Sequence, residues 1–323
     1  MSSSLRLLPI SGLANRVAVL REIFRSLPFW ASVVLLLCAW WTPGFFSLPN
    51  MAALAASLSL IGCVAVGMTF ITISGNIMSF ALGATCAATS ILAAHFSQYG
   101  LMASLAVSLG FAVIFTGVQG WLIGLLRANG LIISIASLAL LGGAAQYLWG
   151  GHSVYTTVSV FSVLGWRLFG LPAALYVLIF VAILGQFILK HTTFGRQVVL
   201  IGSNRPAARA AGLKIVSRMT WCYMLAGLFT GVAGVLIAAR FGTGTMEYGV
   251  GLDYSAISAV LVGGNAIAGG HGSVWRTLVG AVVIAALQSV LLLNGFDTEY
   301  QYFLIGIVVF VAVAVQYKKR GAA

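Results

Sequence analysis

Residues 51–73 read MAALAASLSLIGCVAVGMTFITI and contain no charged side chain. A membrane-spanning helix needs about 20 consecutive apolar residues, so this segment alone predicts one span. The rest of the chain has the same character, because 61% of its 323 residues are hydrophobic and only 7% are charged. Soluble domains carry about 25% charged residues. The composition therefore excludes a soluble enzyme, a disordered chain and a nucleic-acid-binding module, and it predicts an integral membrane protein.

Further apolar segments, separated by polar breaks, predict an all-α polytopic membrane protein with about ten transmembrane helices, within a range of eight to ten. The candidate spans lie at residues 28–46, 51–73, 77–96, 101–126, 131–149, 171–189, 219–239, 254–268, 274–293 and 302–316. The eighth is shorter than the usual minimum of about 17 residues, so it is predicted to be re-entrant or tilted against its neighbours. In the seventh, Gly227 and Gly231 have the GxxxG spacing that lets helix backbones approach closely, within one subunit or between two.

Lysine and arginine are distributed unevenly among the segments that connect these spans. If the chain has ten spans and its N-terminus lies in the cytoplasm, 15 of the 17 basic residues fall on the cytoplasmic side, as the positive-inside rule requires. Both termini are therefore predicted to be cytoplasmic. The chain then divides into a cytoplasmic segment at residues 1–27, a single transmembrane domain at 28–316 and a cytoplasmic tail at 317–323.

The longest polar segment is residues 190–218, KHTTFGRQVVLIGSNRPAARAAGLKIVSR, which carries six basic residues and no acidic residue. Within it, Asn204 or Arg205 begins a short predicted helix, Pro206 suits its first turn, and Gly212 ends it. An isolated helix of two turns is unstable in water, so this one needs a surface to lie against. Three interpretations stay open: a solvated basic loop, a segment that contacts phospholipid, and a docking element for another protein. Binding to nucleic acid is not expected.

The sequence lacks the common motifs of catalysis. It has no GxxxxGK[ST] phosphate-binding loop, no HExxH and no GxSxG, so neither ATP hydrolysis by that loop nor membrane enzymology is predicted. Its spans also lack the charged residues that ion-coupled carriers place inside the membrane. Asp253 is the best exception, interpreted as an acid at a helix N-terminus or as a gating residue. Energy for transport would then come from a partner, and an autonomous ion-coupled carrier is the alternative from another class.

Several motifs resemble the permease subunits of ribose/xylose/arabinose-type ATP-binding-cassette (ABC) importers. The family pattern T-x-x-G-R, followed by G-x-N-x-x-A-A-R-x-x-G, is matched by residues 192–196 and 202–212. A second family segment, which contains two Gly-Gly pairs, is matched by residues 255–264 and 268–273. The likeness extends from about residue 45 to the C-terminus and is dense over 190–290.

The resemblance implies a transport subunit without enzymatic activity of its own, in the cytoplasmic (inner) membrane of a bacterium. Besides the lipid bilayer it implies three partners: a separate ABC ATPase, an extracytoplasmic sugar-binding protein, and a second permease copy in a homodimer or heterodimer. ATP and Mg would bind the ATPase, and this chain would bind no cofactor. Residues 190–218 would couple to the ATPase through Thr193, Gly195, Arg196, Asn204, Pro206, Ala208, Arg209 and Gly212.

The solute that the resemblance implies is a monosaccharide or a related polyol, whose route would be lined by polar groups with little fixed charge. The candidates are Asn76, Ser79, Phe80, Gln146, Asp253 and Asn265, together with Thr85 and Gln288. Polar residues in spans can instead hold helices together. Two departures from the family pattern bear on the solute: residues 75–83 lack the usual Asp and also resemble branched-chain amino-acid permeases, and Asp253 stands where Glu is common. An ABC permease for amino acids or nucleosides is therefore the alternative within this class.

Overall fold

The computed structural model describes residues 40–76, 78–157, 167–168 and 170–320. The segment predicted at 1–27 and most of the first predicted span, 28–46, lie outside the described residues. The helices of the described part are α1 (Leu48–Ile73), α2 (Leu82–Phe96), α3 (Leu101–Leu126), α4 (Gly130–Trp149), α5 (Ala173–His191), α6 (Thr193–Ser203), α7 (Arg205–Ala210), α8 (Ile215–Phe241), α9 (Leu252–Val262), α10 (Val274–Leu293) and α11 (Thr298–Arg320). Short 3₁₀ helices lie at Ser97–Tyr99 and Met246–Gly249, and two-residue strands at β1 (Val154–Tyr155), β2 (Arg167–Leu168), β3 (Leu171–Pro172) and β4 (Thr243–Gly244). Strand β1 pairs antiparallel with β4, and β2 with β3.

Six of the described helices are long and apolar enough to cross a membrane, namely α1, α3, α4, α5, α8 and α10. They match the spans predicted at 51–73, 101–126, 131–149, 171–189, 219–239 and 274–293 to within four residues at each end. Helix α11 contains a shorter apolar stretch, Thr298–Ala314, at the position of the last predicted span. The chain is thus a helical polytopic membrane protein, while the count of ten spans and the cytoplasmic position of both termini stay predictions.

Helices α1 and α8 form the centre of the bundle. In the most apolar part of each, 83% and 72% of the residues are buried, against 22–28% in α3, α4 and α5. These three helices instead expose large apolar side chains, among them Ile132, Phe180 and Phe187. Contiguous apolar surface of this kind is unfavourable in water, but lipid tails are as apolar as the side chains themselves. The outer helices are therefore suited to face hydrocarbon.

Glycine lets α8 lie directly against α3. A Cβ atom on Gly227 would overlap the Ala112 carbonyl oxygen, and one on Gly231 would lie 2.9 Å from the Ala112 Cβ. On α3, Gly120 gives the same space to the Tyr223 side chain, whose Cβ is 2.6 Å from the position a Cβ would take. The GxxxG pair therefore packs two helices of this one subunit, which decides between the two interpretations that the sequence left open.

Two predicted spans are only partly helical. The span at 77–96 becomes helical at α2, because the Ser79 hydroxyl accepts a hydrogen bond from the Ala81 N–H (3.3 Å) and such local bonds compete with helix formation. The span at 254–268 yields only the eleven residues of α9, which is followed by a turn in which Gly264 has a φ of 84°. The prediction of continuous helix over 77–96 is wrong, whereas the re-entrant or tilted course predicted for 254–268 stays a prediction.

The polar segment 190–218 is almost entirely helical. The short helix expected between Asn204 and Gly212 is confirmed as α7. Helix also occupies the residues before it, because α5 continues to His191 and α6 follows after a single residue. In α6, Gly195, Val198 and Ile201 are buried at helical spacing, so α6 lies against the bundle by one face.

Candidate functional site

Two interrupted helices, α2 and α9, begin next to each other inside the bundle. The Ser79 N–H donates to the Met68 sulfur (3.4 Å). The segment that leads into α2 therefore lies beside α1, at a level more than one helical turn before the end of α1. From the other side, the segment between α8 and α9 runs along α2, with Gly244 directly against Ser90. Non-helical backbone at membrane depth is tolerated where protein surrounds it, and in transporters interrupted helices mark substrate sites. We call the starts of α2 and α9, with the residues around them, the interrupted-helix site.

Asp253 joins the two helix starts. Its carboxylate accepts a hydrogen bond from the Gly83 N–H in the first turn of α2, where the N-cap residue Ala81 has no polar side chain. An acceptor there satisfies one of the N–H groups that a helix start leaves unpaired, and a negative charge is favourable beside a helix N-terminus. The Asp253 side chain is only 8% exposed, and it fits because a Cβ on Gly83 would lie 2.6 Å from its Oδ2. Asp253 thus lies in the first turn of its own helix and caps a second one.

Three other predicted pathway residues lie in the segment that leads into α2. Asn76 is buried and donates to a neighbouring serine hydroxyl (3.2 Å), and Ser79 is fully buried. The half-buried ring of Phe80 meets the ring of Tyr254 edge-on, with 6.0 Å between the centroids. Together with Asp253 they give the site polar and aromatic side chains but a single acidic group. No group of three His, Cys, Asp or Glu side chains that could hold a metal ion occurs in the part of the chain that the structure describes.

The structure does not bring Asn265 or Gln146 into that group. Asn265 is fully buried in the turn after α9, where it donates to the Thr277 hydroxyl (2.8 Å) and accepts from a backbone N–H of the same turn (2.8 Å). Gln146 is exposed near the end of α4. The last residue of that helix, Trp149, packs against His95 at the far end of α2. The pathway role of both residues stays a prediction.

The residues predicted to couple to an ATPase form a corner of two helices, α6 and α7. Helix α6 begins after Thr192, whose hydroxyl accepts from the Gly195 N–H (3.1 Å). Gly195 lies so close to the end of α5 that a Cβ would overlap the Leu189 carbonyl oxygen. Thr193 and Arg196 are exposed on the opposite face of α6. Helix α6 is therefore fixed to the bundle on one side and accessible on the other.

Helix α7 is held at both ends and presents one face outward. The Asn204 side chain accepts from a backbone N–H of the first turn (3.0 Å), as a preferred N-cap residue does. Gly212 leaves the helix with a φ of 79°, a conformation that glycine adopts without strain. Ala208 is buried against the core, while Pro206 and Arg209 are exposed. The outward face of α7 thus combines small apolar groups with one guanidinium.

The end of α6 touches the chain links beside both interrupted helices. A Cβ on Gly202 would overlap the Ile73 carbonyl oxygen and lie 2.6 Å from the Gly270 nitrogen. The Gly270 N–H donates to that same carbonyl (2.9 Å), and a Cβ on Gly75 would lie 3.1 Å from the Gly202 Cα. We call Gly75, Gly202 and Gly270 the glycine junction. It connects the α6–α7 corner to the link before α2 and to the turn after α9, and sequence reasoning missed it because the three glycines share no motif.

Known proteins resemble this chain over nearly its whole length. Residues 50–313 match the family described as branched-chain amino acid transport system / permease component. The chain is 30% identical over 292 residues to the L-arabinose transport system permease protein AraH of Escherichia coli (strain K12), covering 90% of this chain and 89% of that protein. It is 32% identical over 284 residues to the L-arabinose ABC transporter permease protein AraH of Azospirillum brasilense (86% and 83% covered). It is 28% identical over 286 residues to the Ribose import permease protein RbsC of Escherichia coli (strain K12) (86% and 89% covered).

The region matched by the family contains the interrupted-helix site, the α6–α7 corner and the glycine junction. It also contains the six long apolar helices, apart from the first two residues of α1. The resemblance read from residues 192–212 and 255–273 is therefore confirmed over the whole transmembrane part that the structure describes. This chain belongs to the permease family of ABC importers, of the type that includes the arabinose and ribose permeases.

Proposed function

We propose that this chain is the membrane-spanning subunit of an importer that carries a monosaccharide or related polyol across the bacterial cytoplasmic membrane. An extracytoplasmic binding protein delivers the solute, and a second permease copy, identical or related, completes the route. A separate ATPase, which binds ATP and Mg, docks from the cytoplasm. The chain crosses the membrane ten times with both termini in the cytoplasm. The arabinose and ribose permeases among its relatives support a sugar as the solute.

The observation that carries the proposal is the connection from exposed α7 to the interrupted-helix site. Only Asn204 separates α6 from α7, so a force on α7 acts directly on α6. Gly202, near the end of α6, lies against the backbone at Ile73 and Gly270. The links before α2 and after α9 therefore receive any displacement of the α6–α7 corner. Because the Asp253 carboxylate links the start of α9 to the start of α2, the two helices move together when the α6–α7 corner is displaced.

In this mechanism the ATPase moves the permease between two access states when it closes around ATP. A partner shifts such an equilibrium only if its affinity for the two states differs, so α7 contacts the ATPase differently in each. The exposed basic residues Arg196, Arg209 and Lys214 have no acidic residue near them in the sequence. The groove that accepts α7 is therefore expected to present carboxylates, which pair well with guanidinium groups.

Replacement of residues 204–212 by a Gly-Ser linker of equal length tests this proposal. Expressed with its ATPase and binding protein, the variant should reach the membrane at the wild-type level but neither co-purify with the ATPase nor take up labelled L-arabinose or D-ribose. The same replacement of the short loop at 127–129, on the same predicted face, is the control and should leave both activities intact. Wild-type uptake by the 204–212 variant would contradict the proposal.

A permease for branched-chain amino acids is the second candidate, because the description of the matching family names that class of solute. The segment 75–83 supports it through its resemblance to such permeases. A panel of labelled L-arabinose, D-ribose, leucine and uridine, offered to cells that express the complete transporter, separates the candidates. Accumulation of a sugar without leucine supports our proposal, and accumulation of leucine alone would replace the sugar while keeping the importer class.

A further inference from the structure

A cavity of about 290 Å³ lies between the first half of α1, the last parts of α8 and α10, and the starts of α9 and α11. Its upper rim is formed where α8 ends, at Phe241, and where α11 begins, at Thr298. In the proposed orientation both points face the extracytoplasmic side, where the binding protein delivers solute. The lower part of the cavity reaches Ser255 in α9. We call it the outer cavity.

Polar side chains of the outer cavity offer both hydrogen-bond donors and acceptors. Gln288 donates through Nε2 to the Ser255 hydroxyl (3.0 Å), and its Oε1 accepts no hydrogen bond from the residues that the structure describes. Ser57 supplies a hydroxyl from α1, and Gln301 an amide from α11. Arg240 contributes a guanidinium that contacts the Phe241 ring (5.1 Å to the centroid). No Asp or Glu lines the described wall.

Aromatic rings form part of the same wall. The Tyr302 ring lies so close to Gly251 that a Cβ there would overlap it, and the Tyr302 hydroxyl donates to the Val250 carbonyl (3.1 Å). Tyr302 also lies 6.5 Å from the Tyr254 ring, which in turn meets Phe80 of the interrupted-helix site. Rings of this type combine an apolar face with a polar tip. A chain of aromatic side chains thus leads from the outer cavity to the start of α2.

We propose that the outer cavity is a low-affinity binding site for one neutral sugar ring, placed before the interrupted-helix site on the import route. Sugar hydroxyls both donate and accept hydrogen bonds, as the wall requires, and the apolar face of a sugar ring can lie on Tyr302. Ligand pockets usually have volumes of about 300–1,000 Å³, so this one suits a small solute. A zwitterionic amino acid fits less well because no carboxylate is present for its ammonium group. The inference rests on the proposed function and names where the solute first binds.

Thiol labelling tests the site without relying on transport. In a Cys38→Ser background, the cysteines that the structure describes, Cys63, Cys86 and Cys222, are buried and should not react with a membrane-impermeant maleimide. Ser57→Cys should react, and L-arabinose or D-ribose at a concentration equal to its Kd should slow the reaction about twofold, because half of the sites are then occupied.

The control for this labelling is Ser47→Cys, an exposed serine just before α1 that lies outside the cavity. Its labelling should not respond to sugar, and leucine should slow neither reaction. If neither sugar slows labelling at Ser57→Cys while the wild-type transporter imports one of them, the outer cavity is not a sugar site and the proposed function stands. If leucine alone protects and is imported, both the site and the sugar assignment are overturned.

Uptake by the complete transporter gives a second readout. Gln288→Leu keeps the approximate size of the side chain but removes its hydrogen bonds, and we expect about a three- to tenfold lower uptake of the same sugar, the worth of one or two hydrogen bonds. Gln98→Leu changes an exposed glutamine outside the cavity and should transport as the wild type does. Equal uptake by Gln288→Leu and Gln98→Leu would contradict the proposed site.

Discussion

Substitution of Gly202 by alanine is expected to disrupt the close packing of the glycine junction. In an exposed helix, alanine is favoured over glycine by about 0.5–1 kcal/mol. At Gly202 the added methyl group would instead overlap the Ile73 carbonyl oxygen and lie 2.6 Å from the Gly270 nitrogen. Overpacking of this kind typically costs about 1–3 kcal/mol. The methyl group would also push Ile73 and Gly270 apart and weaken the hydrogen bond from the Gly270 N–H to the Ile73 carbonyl (2.9 Å), which contributes about 0.5–1.5 kcal/mol. Taken together, these terms predict a net loss of about 0.5–4 kcal/mol in the free energy of unfolding.

The same substitution at Gly143 is the matched control. Gly143 lies inside helix α4, and a Cβ there would meet no atom within 4 Å. Gly143→Ala should therefore keep or slightly raise the wild-type Tm in detergent and keep the wild-type rate of sugar uptake. Gly202→Ala should lower the Tm. On the proposed mechanism it should also reduce uptake more strongly than ATP hydrolysis, because an ATPase could still dock on α7 while its movement would be poorly transmitted.

The measurement is thermal unfolding of the purified permease, together with uptake and ATPase rates of the reconstituted complex. The ratio of solute imported to ATP hydrolysed is the decisive quantity. A Gly202→Ala permease with the wild-type Tm and the wild-type ratio would refute the role assigned to the glycine junction. A lower Tm with an unchanged ratio would limit that role to stability.

Three further substitutions test the contacts around this connection. Asn204→Ala removes the cap of α7, so it should cost about 0.5–2 kcal/mol of helix stability and abolish co-purification of the ATPase. As the control, Asn129→Ala removes the corresponding cap of α4, a hydrogen bond of 3.0 Å, and should leave co-purification intact. Arg209→Glu should abolish ATPase binding in a pull-down assay by placing like charges in contact, and Arg127→Glu, an exposed charge reversal elsewhere, should bind normally. Asp253→Ala leaves the Gly83 N–H unpaired and should cost about 1–3 kcal/mol in thermal unfolding, while Asp253→Asn keeps an acceptor and should lose less; equal Tm values for both variants would contradict the capping role.

The sequence was sufficient for the long helices because each contains its own signal. Helices α3 and α10 begin and end within one residue of the spans predicted at 101–126 and 274–293, since a glycine or polar residue lies on each side of a predominantly apolar stretch. The late start of α2 was not predicted, whereas the shortness of the span at 254–268 had already indicated a re-entrant or tilted segment there. Ser79 lies in an apolar run, and the contacts that show that the helix has not begun there, with Ala81 and with Met68, are visible only in the structure.

The candidate site was partly predictable from the sequence. Its local features could be recognised, whereas contacts between residues far apart in the sequence could not. The cap at Asn204, the first-turn Pro206 and the stop at Gly212 are local features, and the structure places all three as expected. Asp253 was recognised as an acid near a helix start, but its partner Gly83 lies 170 residues away. Such a contact depends on how α2 and α9 pack, which no spacing along the chain reveals.

Solute accumulation in proteoliposomes can be compared for the purified permease with and without its ATPase and binding protein. We predict that labelled L-arabinose or D-ribose accumulates only when all three proteins and ATP are present, and that replacement of residues 204–212 abolishes this accumulation. Accumulation by the permease alone, driven by a proton or sodium gradient, would contradict the claim that this chain is moved by a partner through α7.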